Sequence, residues 1–374
     1  MPPPPPRRLL SDASASATVC ALRHLPKRAA SCPPPRRLCT RCVRPCEDYD
    51  ATSTALAEFH ESRGGVRGLV ESGVTVVPRL FLAPALPHPP SAAAAAAFTI
   101  PSVDLSLPCS DAVALVRAAA SSCGFFHVTN HGVRDGTIDA AVSAARAFHE
   151  QPIAERSAFY SLEPVGAVTY STIPHPQNQV NAPPLPWRDS LRVRFGPQVP
   201  DLGSLPPACR DVLQEYQRSL TGFGKTMSAL FAEALGVRSE RLERAMQVEG
   251  WFMACHYYPP CPEPARVVGS LEHTDPRLFM VLAQDGVGGL QVRRDDDGAG
   301  GDGHWVDVVH VNDALLVNIG DVLKVVSNDE YNSVEHRVII KSTKDARVSI
   351  ALFFNPAKRD KTNTLGPLPE LIFN

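Results

Sequence analysis

Two histidines and one aspartate set the chemistry that this chain can perform. His273 and Asp275 stand two apart in the run Glu272-His273-Thr274-Asp275, and after 60 intervening residues His336 follows in Ser333-Val334-Glu335-His336-Arg337. Two imidazoles and one carboxylate on one face of a metal ion make the facial triad of a non-haem Fe(II) oxygenase, which keeps coordination positions open for a co-substrate and O2. After ten intervening residues, His336 is followed by Arg347-Val348-Ser349. A guanidinium is a planar fork matched to a carboxylate. Arg347, helped by the Ser349 hydroxyl, can therefore hold the far end of a 2-oxo acid whose near end chelates the iron. Each motif alone is compatible with an ordinary, satisfied side chain. Their conjunction in one β-rich stretch points to metal chemistry.

The elements that must position these residues are strands. His273 and Asp275, at i and i+2, project to one face of an extended segment. In Ser333–Ile340 the alternation puts Val334, His336 and Val338 on one side and Glu335 and Arg337 on the other. In Ala346–Phe354 it gives Arg347, Ser349, Ala351 and Phe353 a common face, with Phe353 beside the metal. From Trp251 onward short strands alternate with turns, as in a double-stranded β-helix, or jelly roll. The fold class expected is α+β, a jelly-roll core with flanking helices.

Landmarks from about Asp48 to Pro356 carry a family resemblance. They include Gly65-Val66-Arg67-Gly68-Leu69-Val70-Glu71-Ser72-Gly73, Gly124-Phe125-Phe126-His127-Val128-Thr129-Asn130-His131-Gly132-Val133 and Trp187-Arg188-Asp189-Ser190-Leu191. Others are Cys255-His256-Tyr257-Tyr258-Pro259-Pro260-Cys261-Pro262, Gly288-Gly289-Leu290-Gln291-Val292 and Val317-Asn318-Ile319-Gly320-Asp321. Together with the triad motifs these resemble the plant Fe(II)/2-oxoglutarate-dependent dioxygenases. Within them the chain is most similar to the 1-aminocyclopropane-1-carboxylate (ACC) oxidase homologues, a subgroup that includes deacetoxyvindoline 4-hydroxylase-like enzymes.

The resemblance implies a set of roles. His273, Asp275 and His336 bind Fe(II). Arg347, Ser349 and the phenol of Tyr258 bind the C5 carboxylate of 2-oxoglutarate. His256 stands where many relatives carry asparagine and neighbours the site, and Phe353 lines the substrate pocket. The implied reaction hydroxylates or desaturates a small specialised plant metabolite with O2 and releases succinate and CO2, with ascorbate as reductant. The iron carries the chemistry, so no side-chain general base is required. Two alternatives stay open: an ethylene-forming ACC oxidase, or a C-terminally truncated, weakly active metal-binding homologue. The resemblance also implies a helical segment after Asn355-Pro356 that closes the site. Residues 357–374 would supply little of it, so poor coupling of succinate to product is expected. ACC oxidases place basic residues in that segment.

Composition bounds the rest. Of 374 residues, the first 47 hold nine Lys/Arg against Asp12 and Glu47, which leaves the remainder at −9. An acidic body excludes nucleic acid as the expected partner, and no apolar run is long enough to span a membrane. The partners expected are a small-molecule substrate and O2, with the chain a monomer. Residues 1–47, rich in Pro, Arg, Ser and Ala, are expected to be disordered. They read either as a plastid transit peptide or as a mis-started extension, with the cytoplasm the default compartment. Cys39-x-x-Cys42 lacks the second pair of a zinc site. With no hydrophobic signal segment, free thiols in a reducing compartment are expected.

The expected organisation is a basic extension (1–47), an N-terminal region of helices and short strands (48–205), a long connecting helix (206–249), the jelly roll (250–356) and a tail (357–374). Within it, one helix is expected over 48–73, then an extended stretch 74–81. A strand over 100–105 and a helix over Ser110–Ser122, with Ser110 as N-cap, come after that. Next are a strand over 125–129, a helix over 135–151, a loop over 161–189 and a helix over 206–235. Asp295-Asp296-Asp297 reads as a charged hairpin turn, since it lacks the alternation of a calcium loop. A bulge is expected to absorb the long connection between His336 and Arg347.

Overall fold

The computed structural model describes residues 44–83, 99–172, 184–196, 201–240, 242, 249–294, 303–355 and 366–372. The chain divides into Met1–Tyr49 and Asp50–Asn374. The first unit contributes only the opening turns of the first helix to the described residues; the fold and the site belong to the second. Cys20, Cys32, Cys39 and Cys42, the triple aspartate and most of the C-terminal tail lie outside the described residues.

The elements run α1 (Arg44–Glu61), α2 (Gly65–Glu71), β1 (Ser102–Asp104), α3 (Cys109–Ser122), β2 (Phe125–Thr129), α4 (Thr137–His149) and α5 (Ile153–Ser157). Then come β3 (Val168–Ser171), β4 (Asp189–Arg194), α6 (Arg210–Ala234), β5 (Glu249–Tyr258), β6 (Val268–His273), β7 (Phe279–Gln284) and β8 (Leu290–Arg294). The series ends with β9 (His304–Asp307), β10 (Leu315–Ile319), α7 (Asp321–Val326), β11 (His336–Ile339), β12 (Arg347–Asn355) and α8 (Pro369–Ile372). The strands form an eight-stranded sheet, β1-β2-β10-β7-β12-β5-β4-β3, and a four-stranded sheet, β6-β11-β8-β9.

The sheets pack face to face as a jelly roll. Tyr258, Met280, Leu316 and Ala351 of the larger sheet share one apolar cluster with Leu290, Val292, Val306 and Val338 of the smaller. The other face of the larger sheet is covered by helices. Val116 and Ala120 of α3, Ala145 and Phe148 of α4, and Leu220, Met227 and Phe231 of α6 bury against Val281, Val317, Ile350 and Leu352. Period-2 alternation in the strands and a 3.6-residue stripe in α6 allow both contacts at once.

Several elements depart from the sequence expectation. The helix expected over 48–73 is two helices, broken where Arg63 and Gly65 take positive φ of 52° and 64°. The cause is distant in sequence. The buried carboxylate of Asp189 accepts the backbone N–H groups of Val66 (2.9 Å) and Arg67 (2.8 Å) and the Thr172 hydroxyl (2.6 Å). A Cβ at position 65 would lie 2.4 Å from Asp189 Oδ1, so the approach requires glycine. α1 begins at Arg44, inside the segment expected to lack structure. Helix α3 starts after Pro108 with no side-chain cap, so Ser110 does not cap it. The stretch 74–81 closes with a 3-10 turn at Arg79–Phe81, and the loop 161–189 contains β3. Arg337, expected on the polar side of its strand, is buried. Its guanidinium lies 4.2 Å over the Trp305 ring, and its Nε donates to Gln291 Oε1. The β6–β11 ladder shifts register between His336 and Val338.

Gly224 on α6 marks the closest approach of helix to sheet. Added there, a Cβ would lie 2.1 Å from Cε1 of Phe354, whose ring stacks on Phe279 at 4.5 Å. Gly→Ala inside a helix ordinarily stabilises. Gly224→Ala is expected to destabilise instead, by about 1–3 kcal/mol, because the ring pair must move. Urea denaturation decides this; an unchanged or raised midpoint would show that the contact yields without cost.

Candidate metal centre and co-substrate cleft

The triad forms where the smaller sheet joins the loop after β6. His336 opens β11 and pairs directly with His273, the last residue of β6. Cross-strand neighbours share a face, and the two imidazole centroids lie 4.3 Å apart. Asp275 is two residues further on. Its carboxylate oxygens lie 3.9 Å from His273 Nε2 and 3.7 Å from His336 Nε2. One candidate ligand atom from each residue falls within 4.8 Å of the others, the spacing of donors around one ion. Asp275 and His336 keep only 6% of their side chains exposed, against 42% for His273, so the site opens on the His273 side.

Hydrogen bonds prepare the donor atoms. Nδ1 of His273 lies 2.8 Å from the Leu271 carbonyl, and Nδ1 of His336 lies 3.2 Å from the Val334 carbonyl. An Nδ1–H donated to each carbonyl leaves the Nε2 lone pair free for a metal, the arrangement in which histidine ligates best. Burial pushes the His336 pKa down, with Asp275 acting the other way, which favours the neutral, ligating imidazole. Asn318 Nδ2 donates to Asp275 Oδ2 at 2.9 Å. The donor set of two nitrogens and one carboxylate, already convergent, fits Fe(II).

Asp321 links both ligand segments. Its carboxylate accepts the hydroxyls of Thr274 (3.1 Å) and Ser333 (2.7 Å), which flank the first and second halves of the triad. Its backbone N–H donates to the Asp275 carbonyl at 2.8 Å. Gly320 makes the approach possible, since a Cβ there would lie 2.3 Å from the Arg277 carbonyl oxygen.

The residues expected to hold the co-substrate lie on adjacent strands of the larger sheet. Across β12 and β5, Arg347 pairs with Tyr258, Ser349 with His256, Ala351 with Ala254 and Phe353 with Phe252. The face anticipated from alternation therefore continues into the neighbouring strand. Arg347 donates through Nη1 to Ser349 Oγ (3.0 Å) and through Nη2 to Gln284 Oε1 (2.8 Å), while its buried Nε has no described acceptor. The guanidinium lies 4.8 Å over the Tyr258 ring. Burial would raise the Tyr258 phenol pKa, but Arg188 and Arg347 outweigh it and hold it below its usual value. His256 Nδ1 lies 2.8 Å from Ser190 Oγ, and burial, then the nearby arginines, keeps its pKa well below the usual value. A cleft this cationic fits a dicarboxylate.

The structure thus brings His273, Asp275 and His336 together, and sets Arg347, Ser349 and Phe353 of β12 opposite Tyr258, His256 and Phe252 of β5. The structure adds Asn318, Asp321, Gln284 and Arg188. Asn318 and Asp321 stood in a sequence landmark without a role. Only the long-range contacts reveal what they hold.

Residues 251–356 match the 2OG-Fe(II) oxygenase superfamily, and residues 100–207 match the family described as non-haem dioxygenase in morphine synthesis N-terminal. The chain belongs to the Fe(II)- and 2-oxoglutarate-dependent oxygenases, and it is a dioxygenase of that class. It is similar to ACC oxidase homolog 3 of Arabidopsis thaliana, 37% identical over 86% of this chain and 87% of the relative. A probable 2-oxoacid dependent dioxygenase of the same plant is 34% identical over 87% and 90%. Among solved structures, JOX2 in complex with 2OG, Fe and JA superposes with a TM-score of 0.69 at 30% identity, covering 82% of this chain and 86% of that one. The rice dioxygenase for auxin oxidation shares the fold, with a TM-score of 0.56 at 24% identity over 73% and 87%.

Asp321→Ala would remove the carboxylate that ties Thr274 to Ser333 without touching a candidate ligand atom. Outer-shell partners of this kind are worth about 10–100-fold in metal affinity. A fall of that size in Fe(II) affinity is expected in anaerobic titration, with the circular dichroism spectrum unchanged. Wild-type affinity would show that the two halves of the triad are held without it.

Proposed function

We propose that this chain hydroxylates, or desaturates, a small specialised plant metabolite, using Fe(II) held by His273, Asp275 and His336 and 2-oxoglutarate held by Arg347, Ser349 and Tyr258. The observation that carries this reading is the convergence of the three donor side chains at the mouth of a barrel whose inner wall presents a buried guanidinium. When bound, the iron supplies O2 activation coupled to oxidative decarboxylation of 2-oxoglutarate to succinate and CO2. The protein's part is positional. Arg347, fixed by Ser349 and Gln284, sets the depth of the co-substrate. Phe353, against Phe252 at 5.5 Å, walls the space beside the metal, and His256 is held by Ser190 at the barrel face. The JOX2 complex, which holds 2OG, Fe and JA together, supports a small organic molecule as the substrate class. No helix among the described residues is long and apolar enough to cross a membrane.

The test is succinate formation that requires both Fe(II) and 2-oxoglutarate, with ascorbate present; ethylene from ACC without 2-oxoglutarate would replace this reading with the ACC oxidase one. Two variant sets refine it. His273→Ala, Asp275→Ala and His336→Ala are each expected to abolish iron-dependent turnover, because each removes one of three protein ligands. Retained activity in any of them would break the triad assignment. Arg347→Lys keeps the charge but loses the fork. The KM for 2-oxoglutarate is expected to rise about tenfold or more, in line with the strength of bidentate pairs. An unchanged KM would remove Arg347 from the co-substrate site.

A further inference from the structure

Besides Arg347 and Arg188, the inner face of the larger sheet carries a further cation, Arg192. In β4, Leu191 and Val193 bury against the helices. Arg192, between them, points the other way. It pairs with Ala254 of β5, which pairs in turn with Ala351 of β12, a member of the cluster inside the barrel. Nη1 of Arg192 donates to Ser171 Oγ at 3.1 Å. Nη2 is buried and meets no acceptor among the described residues. Nor does any described carboxylate form a salt bridge with it. The nearest acid in sequence, Asp189, spends its oxygens on Val66, Arg67 and Thr172. Burial, then the neighbouring Arg188, pushes the Arg192 pKa down to about 9. Asp189 and Tyr160 offset part of this, yet Nη2 still lacks a partner among the described residues, and a buried polar group left so is costly.

The row order says what that partner is. From the deep end outward the rows read Arg347 with Tyr258, then Ser349 with His256 and Ser190, then Ala351 with Ala254 and Arg192, then Phe353 with Phe252. Arg192 therefore lies outside the co-substrate rows, one row deeper than the aromatic pair. Met280, opposite Phe353 on β7, pairs with Asn318, the residue that holds Asp275. Three strand spacings, about 14 Å, separate the backbones of β7 and β4. Two alanines leave the floor between them low, and two phenylalanines wall the outer side.

We propose that Arg192 receives the carboxylate of the substrate, and that the substrate is a ring-bearing carboxylic acid lying over Ala254 and Ala351 with its oxidised carbon toward the metal. The inference rests on the dioxygenase reading for the direction of that carbon, and on Arg192 alone for the carboxylate.

The test uses the full chain loaded with Zn(II) and 2-oxoglutarate, which blocks turnover. Phenylacetate, cinnamate and indole-3-acetate are titrated by ligand-observed NMR, each beside its primary amide. At least one acid is expected to bind about tenfold more tightly than its amide, the scale of a charge-assisted pair. Arg192→Gln should erase that preference and leave 2-oxoglutarate affinity unchanged; Arg192→Lys should keep part of it. Should the Gln variant fail to fold, the Lys variant decides, since acid affinity must then fall while amide affinity does not. The proposal is overturned if no acid is preferred over its amide, if the preference survives in Arg192→Gln, or if 2-oxoglutarate affinity falls in parallel. Iron-dependent succinate formation by the wild type is measured separately. Its absence would sink the dioxygenase reading and leave the acid–amide comparison to judge Arg192.

Discussion

The antiparallel pairing of His273 with His336 is the contact on which the rest of the site depends. It joins two segments more than sixty residues apart and puts both imidazoles on one face. The smaller sheet must therefore form before a metal site exists. Asp321 then fixes the approach of the two segments from outside, through Thr274 and Ser333. A metal would add its own binding energy to a geometry that backbone pairing and two hydroxyl hydrogen bonds already define.

Behind the triad, the barrel concentrates positive charge. Arg188, Arg192 and Arg347 all depress the pKa of His256, after burial itself. The folded body is acidic as a whole, so this interior is set against its own surface. Burying guanidinium groups costs folding free energy unless anions or hydrogen bonds compensate. Ser349, Gln284 and Ser171 compensate in part. What is left is an interior whose fixed charges are positive, where electrostatic attraction in low dielectric is strong.

Much of this was legible in the sequence, and the reason is periodicity. The strand over Phe125–Thr129, the triad and the common face of Arg347, Ser349, Ala351 and Phe353 come from a period of two and from residue type. What escaped is what depends on distant partners. The break at Arg63–Gly65 is set by Asp189, 123 residues from Val66. Arg337 reads as a solvent-facing charge until Trp305 and Gln291 are seen to cover it. Arg192 reads the same way, because an arginine alternating with Leu191 and Val193 resembles the polar side of an amphipathic strand. Only its neighbours Ser171 on β3 and Ala254 on β5 show which side of the sheet it occupies.

Strand β4 also has a mechanical role. On its outer side Asp189 holds the first amides of α2; on its inner side Ser190 and Arg192 face the barrel. Adjacent residues of one strand thus grip a surface helix and line the chamber. The carboxylate that holds the helix is thus one residue from Ser190 and three from Arg192. The amide hydrogens of Val66 and Arg67, remote from the metal in sequence, become reporters whose exchange with solvent tracks how firmly the strand is held.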